Sequence, residues 1–206
     1  MSKEDFVARR RVSRETVARL ERYAELLGKW NPAINLVSPS TLKEVWTRHF
    51  LDSAQLLDLA PARAMHWVDL GAGGGFPGLV VAILAKEERP ALKFTLVESD
   101  RRKAAFLAHA ARSLGVDAEV LGDRIETIPP LGADVISARA LAPLEQLLYF
   151  AARHMRTGGV AIFPKGARHE DEIRQALEKW RFACEKHRSM TDPEAVVLTV
   201  GEIARV

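Results

Sequence analysis

Residues 68–78 read VDLGAGGGFPG, a short apolar run that ends in an aspartate and opens onto five glycines within eight positions. Each glycine costs more backbone freedom on folding than any other residue, so such a run belongs where the chain turns sharply or packs closely against something. A strand that empties into a glycine-rich turn and then a helical run is the first βα unit of an α/β domain. The rest of the chain from residue 66 keeps this rhythm. Strand-like runs stand at 66–70, 93–98, 118–122, 133–138 and 159–165, separated by helical stretches at 78–86, 101–114, 143–155 and 169–180. The terminal EAVVLTVGEIARV suggests one or two closing strands. Strand–helix alternation at this spacing gives right-handed βαβ units, a mainly parallel sheet and helices on both of its faces.

The first sixty residues follow another pattern. Ser13 to Lys29 places Val17, Leu20, Ala24 and Leu27 on one helical stripe. The run WNPAINLVSPS (30–40) is expected to stop that helix at its prolines and to leave Trp30 and Asn35 in an irregular loop of the kind that often contacts substrate, with Trp30 itself packed between the subdomains. Thr41 and Glu44 have the spacing of a capping box and open a second helix, and 59–66 reads as a linker. The organisation expected is an N-terminal helical extension over 1–60 and one α/β unit over 61–206.

A chain of 206 residues buries one good-sized core. No apolar stretch is long enough for a membrane span, the charged N-terminus lacks a signal-peptide core, and the lone Cys184 fits a reducing compartment. The expected location is the cytoplasm, with no membrane association and a monomeric chain. Net charge is +3, and its excess is confined to residues 1–50, with ten Lys/Arg against six Asp/Glu and the stretch ARRRVSR (8–14) densest. A basic segment beside a near-neutral body suits a phosphate-rich partner; a solvated helix face is the alternative.

In an open α/β sheet the ligand sits at the carboxyl ends of the strands. Two ligand classes use this loop, dinucleotides and S-adenosylmethionine. Gly71, Gly73 and Gly75 read G-x-G-x-G rather than the dinucleotide G-x-G-x-x-G, although Gly78 satisfies a longer dinucleotide-like spacing. Asp69 favours the second class, since a carboxylate sits poorly beside a diphosphate and suits an ammonium and a sulfonium. Glu98, at the end of the second strand, is placed for a ribose diol, which both classes carry. Asp123, after the third strand, is placed for an adenine edge or else serves as a turn residue.

The segments KWNPAINL, RHFLDS, VDLGAGGGFPG, DVISARALAPL and FPKG occur in this order over about residues 20–166. Together they resemble the RsmG family, also called GidB, bacterial small-subunit rRNA methyltransferases. The resemblance implies a Rossmann-like class I S-adenosylmethionine methyltransferase fold with an N-terminal helical extension. It also implies methyl transfer from S-adenosylmethionine to N7 of guanine 527 in the 530 loop of 16S rRNA, free or within the small ribosomal subunit. Carried over residue by residue, the family's cofactor site falls on Gly71, Phe76, Ile125, Glu126 and Arg139. Where many members read VISRA this chain reads VISARA, which shifts Arg139 by one position.

That chemistry agrees with the residues. Guanine N7 offers a lone pair and no proton, so in-line attack on the methyl needs no general base. The chain has SARAL where amino-group methyltransferases carry an N/D-P-P-[YF] loop. An arginine over N7 would oppose the cationic product, so Arg139 is assigned to the methionine carboxylate or an RNA phosphate, and Lys165 to a phosphate. Arg48, His49 and Asn35 are the expected substrate contacts, with Arg48 and Asp52 spaced for an intrahelical ion pair. Phe76 is expected against the adenosine or sulfonium, with a place in the core at the helix start as the commoner alternative. The histidines have no metal-ligand spacing, and no metal is expected. The competing readings are a methyltransferase for another base or a protein, a nicotinamide-dependent oxidoreductase, and a non-catalytic RNA-binding module.

Overall fold

A computed structural model describes residues 2–206 of the chain. The strands are β1 His66–Leu70, β2 Lys93–Val97, β3 Ala118–Leu121, β4 Ala133–Ser137, β5 Met155–Lys165, β6 Trp180–Arg188 and β7 Val196–Arg205. They form one sheet in the order β3-β2-β1-β4-β5-β7-β6. The first five run parallel, and β7 lies antiparallel between β5 and β6. All five parallel strands therefore end on one edge, and the strand order reverses between β1 and β4, where open α/β sheets hold their ligands. β4 is buried along its whole length and β1 beyond His66, as strands covered on both faces must be.

The helices are α1 Lys3–Arg10, α2 Arg14–Ile34, α3 Pro39–Leu42, α4 Asp52–Leu59, α5 Gly78–Glu88, α6 Arg101–Leu114, α7 Leu144–His154 and α8 His169–Ala176. A π-helical turn, Trp46–Leu51, runs directly into α4. The parallel strands and the helices between them stand where the hydrophobic rhythm places them. α6 shows why local chemistry suffices there: Asp100 accepts from the Arg102 and Lys103 amides at one end, and Gly115 takes a left-handed conformation at the other.

The N-terminal segment departs from the sequence reading. α2 does not stop before Pro32 but continues to Ile34, so Trp30 is helical rather than in a loop. Proline removes only one bond near the helix end, and tertiary packing outweighs it. Trp30 packs on Phe106 and His109 of α6, and the Asn31 amide bridges the backbone N–H and C=O of Val37. Asn35, left-handed at φ 48°, closes the helix onto the Asn31 carbonyl. The Thr41–Glu44 capping box does not form. Ser38 Oγ caps α3 instead by accepting from the Thr41 amide. α1, which the charged N-terminus concealed, is held by a Ser2–Asp5 capping box and by the fully buried Phe6 against Trp46. At the other end, α8 stops at Ala176 because Trp180 begins β6.

Phe6, Leu20, Tyr23 and Leu27 share a single core with Trp67, Phe94 and α5 on one face of the sheet. α7 and α8 cover the other face with a second core around Phe150 and Phe163. α5 is apolar all round because it lies between β-sheet and N-terminal helices. Its far end meets the basic stretch: Ser13 and Thr16 donate to Glu87, and Arg10 pairs with Glu88. Residues 10–16 therefore sit about 16 Å along α5 from the glycine loop, at the rise of an α-helix. No helix among the described residues is long and apolar enough to cross a membrane.

Candidate active site

The glycine loop is braced from beneath. The Trp67 indole N–H donates to Ser137 Oγ at 2.8 Å, Ser137 Oγ donates to Asp69 Oδ1 at 2.6 Å, and the Gly78 amide donates to Asp69 Oδ2 at 2.9 Å. Asp69 is fully buried. Burial pushes its pKa up to about 7, against the pull of these two donors. The carboxylate expected to face a cofactor ammonium instead ties β1 to β4 and to the start of α5. From the other side, the Tyr23 hydroxyl donates to the Gly74 carbonyl. Gly75, at φ +96°, has no room for a Cβ, which would strike that hydroxyl. Gly73, at φ +56°, differs: a Cβ there would meet only the Gly71 carbonyl at 3.8 Å. Its open side is where a ligand can approach the backbone.

That space is a cavity of about 470 Å³ lined by Gly71, Gly73, Glu98, Ile125 and Glu126, with Phe150 of α7 behind. Glu98 accepts from the Gly73 amide through Oε2 and from the Asp100 amide through Oε1, both at 2.8 Å. It joins the first loop to the second and still lines the cavity. The Ile125 carbonyl is held by His154 Nε2 at 3.0 Å, which fixes a segment that has no regular structure of its own. Asp123 is exposed and lies outside the lining. Phe76 is also outside the lining. It is 4% exposed, stacked with Tyr23 and His49 and covered by the Arg139 guanidinium at 5.0 Å from the ring centroid. The residues suit an adenosine-bearing ligand: an open glycine for close approach, an acid at the end of β2 and an apolar wall at Ile125 and Phe150.

A second cavity of about 900 Å³ shares the wall Arg139–Ala142 with the first. Arg139 donates to the Arg48 carbonyl at 3.1 Å, to Asp52 Oδ2 at 3.2 Å and to His49 Nδ1 at 2.8 Å. The expected Arg48–Asp52 pair is thus replaced by Arg139–Asp52. The π-helical turn carries Arg48 away, where it lies 3.8 Å from Glu44 and 3.9 Å from Asp192. Since Nδ1 accepts from a guanidinium, the proton of His49 lies on Nε2. That atom is buried without a hydrogen-bond partner among the described residues. Burial, with Arg139 and Arg48 beside it, pushes the His49 pKa down to about 3, so the ring is neutral at physiological pH.

Lys165 is paired as well. Its Nζ donates to the Ala142 carbonyl at 3.0 Å and to Glu172 Oε2 at 2.7 Å, and its side chain is 9% exposed. The lining of this cavity holds four Arg/Lys and four Asp/Glu, so its formal charge balances. Asn35, at the exposed end of α2, lies outside both linings. Two contributors escaped the sequence reading. Glu172 lay hidden beside His169, Glu170 and Asp171 in HEDEI, and Thr191, whose hydroxyl donates to Asp52 Oδ1 at 2.9 Å, sits at the tip of the β6–β7 hairpin. No local pattern marks either residue.

Residues 16–196 match the family model described as rRNA small subunit methyltransferase G. The chain is 52% identical to the protein named ribosomal RNA small subunit methyltransferase G of Ruegeria pomeroyi over 195 residues, 95% of each chain. It is 49% identical to the protein of that name in Cereibacter sphaeroides, over the full length of both. Among solved structures, an S-adenosylmethionine-dependent methyltransferase from Aquifex aeolicus aligns with a TM-score of 0.57 at 16% identity, covering 79% of this chain and 92% of that one. An O-methyltransferase from Bacillus cereus in complex with SAH aligns at 0.58 with 15% identity, covering 90% and 91%. At those identities the structural likeness speaks for the fold: Rossmann-like, with a mostly parallel seven-stranded sheet.

Proposed function

The chain belongs to the rRNA small subunit methyltransferase G family, and from that premise we propose that it transfers a methyl group from S-adenosylmethionine to N7 of guanine 527 in 16S rRNA. The observation that carries this reading is the pair of cavities that meet at Arg139–Ala142 on the carboxyl edge of the sheet. The smaller suits the cofactor, and the larger suits a nucleotide presented beside it. Gly71, Gly73, Glu98, Ile125 and Glu126 would hold S-adenosylmethionine. When bound, it supplies a methyl group on a sulfonium, an electrophile that asks only for a lone pair in line.

The residues around the shared wall fit a reaction without proton transfer. His49 is neutral, has its Nδ1 lone pair engaged by Arg139 and cannot serve as a base. N7 needs none, so orientation carries the rate, and well-oriented reactants can gain about 7–11 kcal/mol of barrier. Charge matters as well, since methylation leaves a cation on the base. Arg139 is neutralised by Asp52 and Lys165 by Glu172, so neither opposes that charge as a free cation would. Arg139 acts by fixing the π-helical turn against the wall of the site, and the phosphate contacts fall to exposed cations at the two mouths, Arg124 and Arg168.

We place the reaction in the cytoplasm, with a monomer acting on 16S rRNA either free or in the small subunit. The test is incubation with methyl-labelled S-adenosylmethionine and 16S rRNA lacking the modification, as naked RNA and as subunits. Label in the fragment bearing the 530 loop supports the reading. Label in another fragment or in ribosomal protein selects a different substrate, and no label in either preparation contradicts it.

A further inference from the structure

The larger cavity presents a donor beside an acceptor that the fold leaves partly unused. Glu172, on the first turn of α8, spends one oxygen on structure. Its Oε2 accepts from the Leu144 amide at 2.8 Å and from Lys165 Nζ at 2.7 Å. Oε1 accepts no hydrogen bond among the described residues. Lys165 has three ammonium protons and uses two, on Glu172 and on the Ala142 carbonyl. One proton of Lys165 and both lone pairs of Glu172 Oε1 remain, and both residues line the cavity. Ala142 lines both cavities, so this pair stands against the wall that separates the two.

We propose that the Lys165–Glu172 pair reads the Watson–Crick edge of the target guanine, Lys165 donating to O6 and Glu172 Oε1 accepting from N1–H and the 2-amino group. This rests on the reading of the larger cavity as the nucleotide site. Guanine shows an acceptor at O6 next to a donor at N1, the complement of a lysine next to a carboxylate. Adenine shows the reverse, a 6-amino donor next to the N1 acceptor, and would face each group with its like. A site built of buried polar partners rejects the mismatched ligand because those partners are left unpaired. The balanced charge of the cavity agrees, since it favours a neutral, donor-rich base over a phosphate.

The test is a two-by-two cycle. Wild type and Glu172→Gln are each given RNA with guanosine, or with 2-aminopurine, at the target position; the analogue keeps N7 but lacks O6 and N1–H. In Glu172→Gln the amide oxygen must keep the Leu144 and Lys165 donors, which turns the NH2 to the place of Oε1. For wild type, kcat/KM is expected to fall on the order of 10–100-fold from guanosine to 2-aminopurine, the range of hydrogen bonds to charged groups. For Glu172→Gln the guanosine rate falls by a similar factor, and the analogue costs less than about 3-fold more. S-adenosylhomocysteine affinity, measured by calorimetry, stays at the wild-type value. Equal analogue penalties in both enzymes overturn the proposal. Should Glu172→Gln fail to bind S-adenosylhomocysteine, Lys165→Met is run through the same cycle with the same criterion. Failure of wild type to methylate the guanosine RNA refutes the proposed function itself, a result separate from additive penalties.

Discussion

His49 and Asp69 occupy one neighbourhood and titrate in opposite senses. His49 is held far below its ordinary range, so the native state binds fewer protons than the unfolded chain between about pH 3 and pH 6.5. Its contribution to stability is present above pH 6.5 and is lost as pH falls. Asp69 is held above its ordinary range, so the native state binds more protons between about pH 4 and pH 7, and its contribution is lost as pH rises through that window. Over pH 4–6.5 the two slopes offset each other in the wild-type protein. Urea unfolding across this range should therefore show a steeper acid loss in Asp69→Asn and a shallower one in His49→Gln. Parallel shifts of both variants at every pH would contradict these assignments. Tyr23→Phe is a simpler case: it strips the donor from the buried Gly74 carbonyl and should cost about 1 kcal/mol in the same assay.

Among the elements, the glycine loop separates packing from binding at two positions that look alike in sequence. Gly75→Ala adds a methyl against the Tyr23 hydroxyl at a φ that L residues avoid, and about 2 kcal/mol or more of stability should be lost. Gly73→Asp projects a carboxylate into the open cavity beside Glu98. It should abolish S-adenosylhomocysteine binding in calorimetry while the far-ultraviolet spectrum is kept, and retained affinity would remove the cofactor from that cavity. The five parallel strands, α5, α6 and α7 were legible because each carries its own period, cap or turn chemistry. α1, the length of α2 and β6 were not, since long-range partners decide them: Trp46 for Phe6, α6 for Trp30, and β7 for WRFACEKHR. At the site, Gly71, Gly73 and Glu98, singled out by spacing, and Ile125 and Glu126, carried over from the family resemblance, all line the smaller cavity. The contacts of Arg139 and Lys165 were beyond reach, because Asp52 and Glu172 come from elements distant in sequence.

At the scale of the molecule, charge and location part company. The densest basic stretch lies toward the end of α5 remote from the loop, while Arg48, Lys103, Arg124 and Arg168 surround the two mouths. RNA affinity should fall steeply with salt, whereas S-adenosylhomocysteine affinity should not. Replacing Arg124 and Arg168 by Gln should lower the slope of log K against log salt by about one to two, and replacing Arg9 and Arg11 should leave it nearly unchanged. Equal slopes for both pairs would move the RNA footprint toward α1. The proposed activity needs the two cavities to act together, cofactor in one and guanine in the other. 16S rRNA methylated by the pure protein is digested, and the modified nucleoside is identified and positioned by mass spectrometry. The prediction is 7-methylguanosine at position 527; a methyl group on an exocyclic amine, on a ribose hydroxyl or at another position would contradict it.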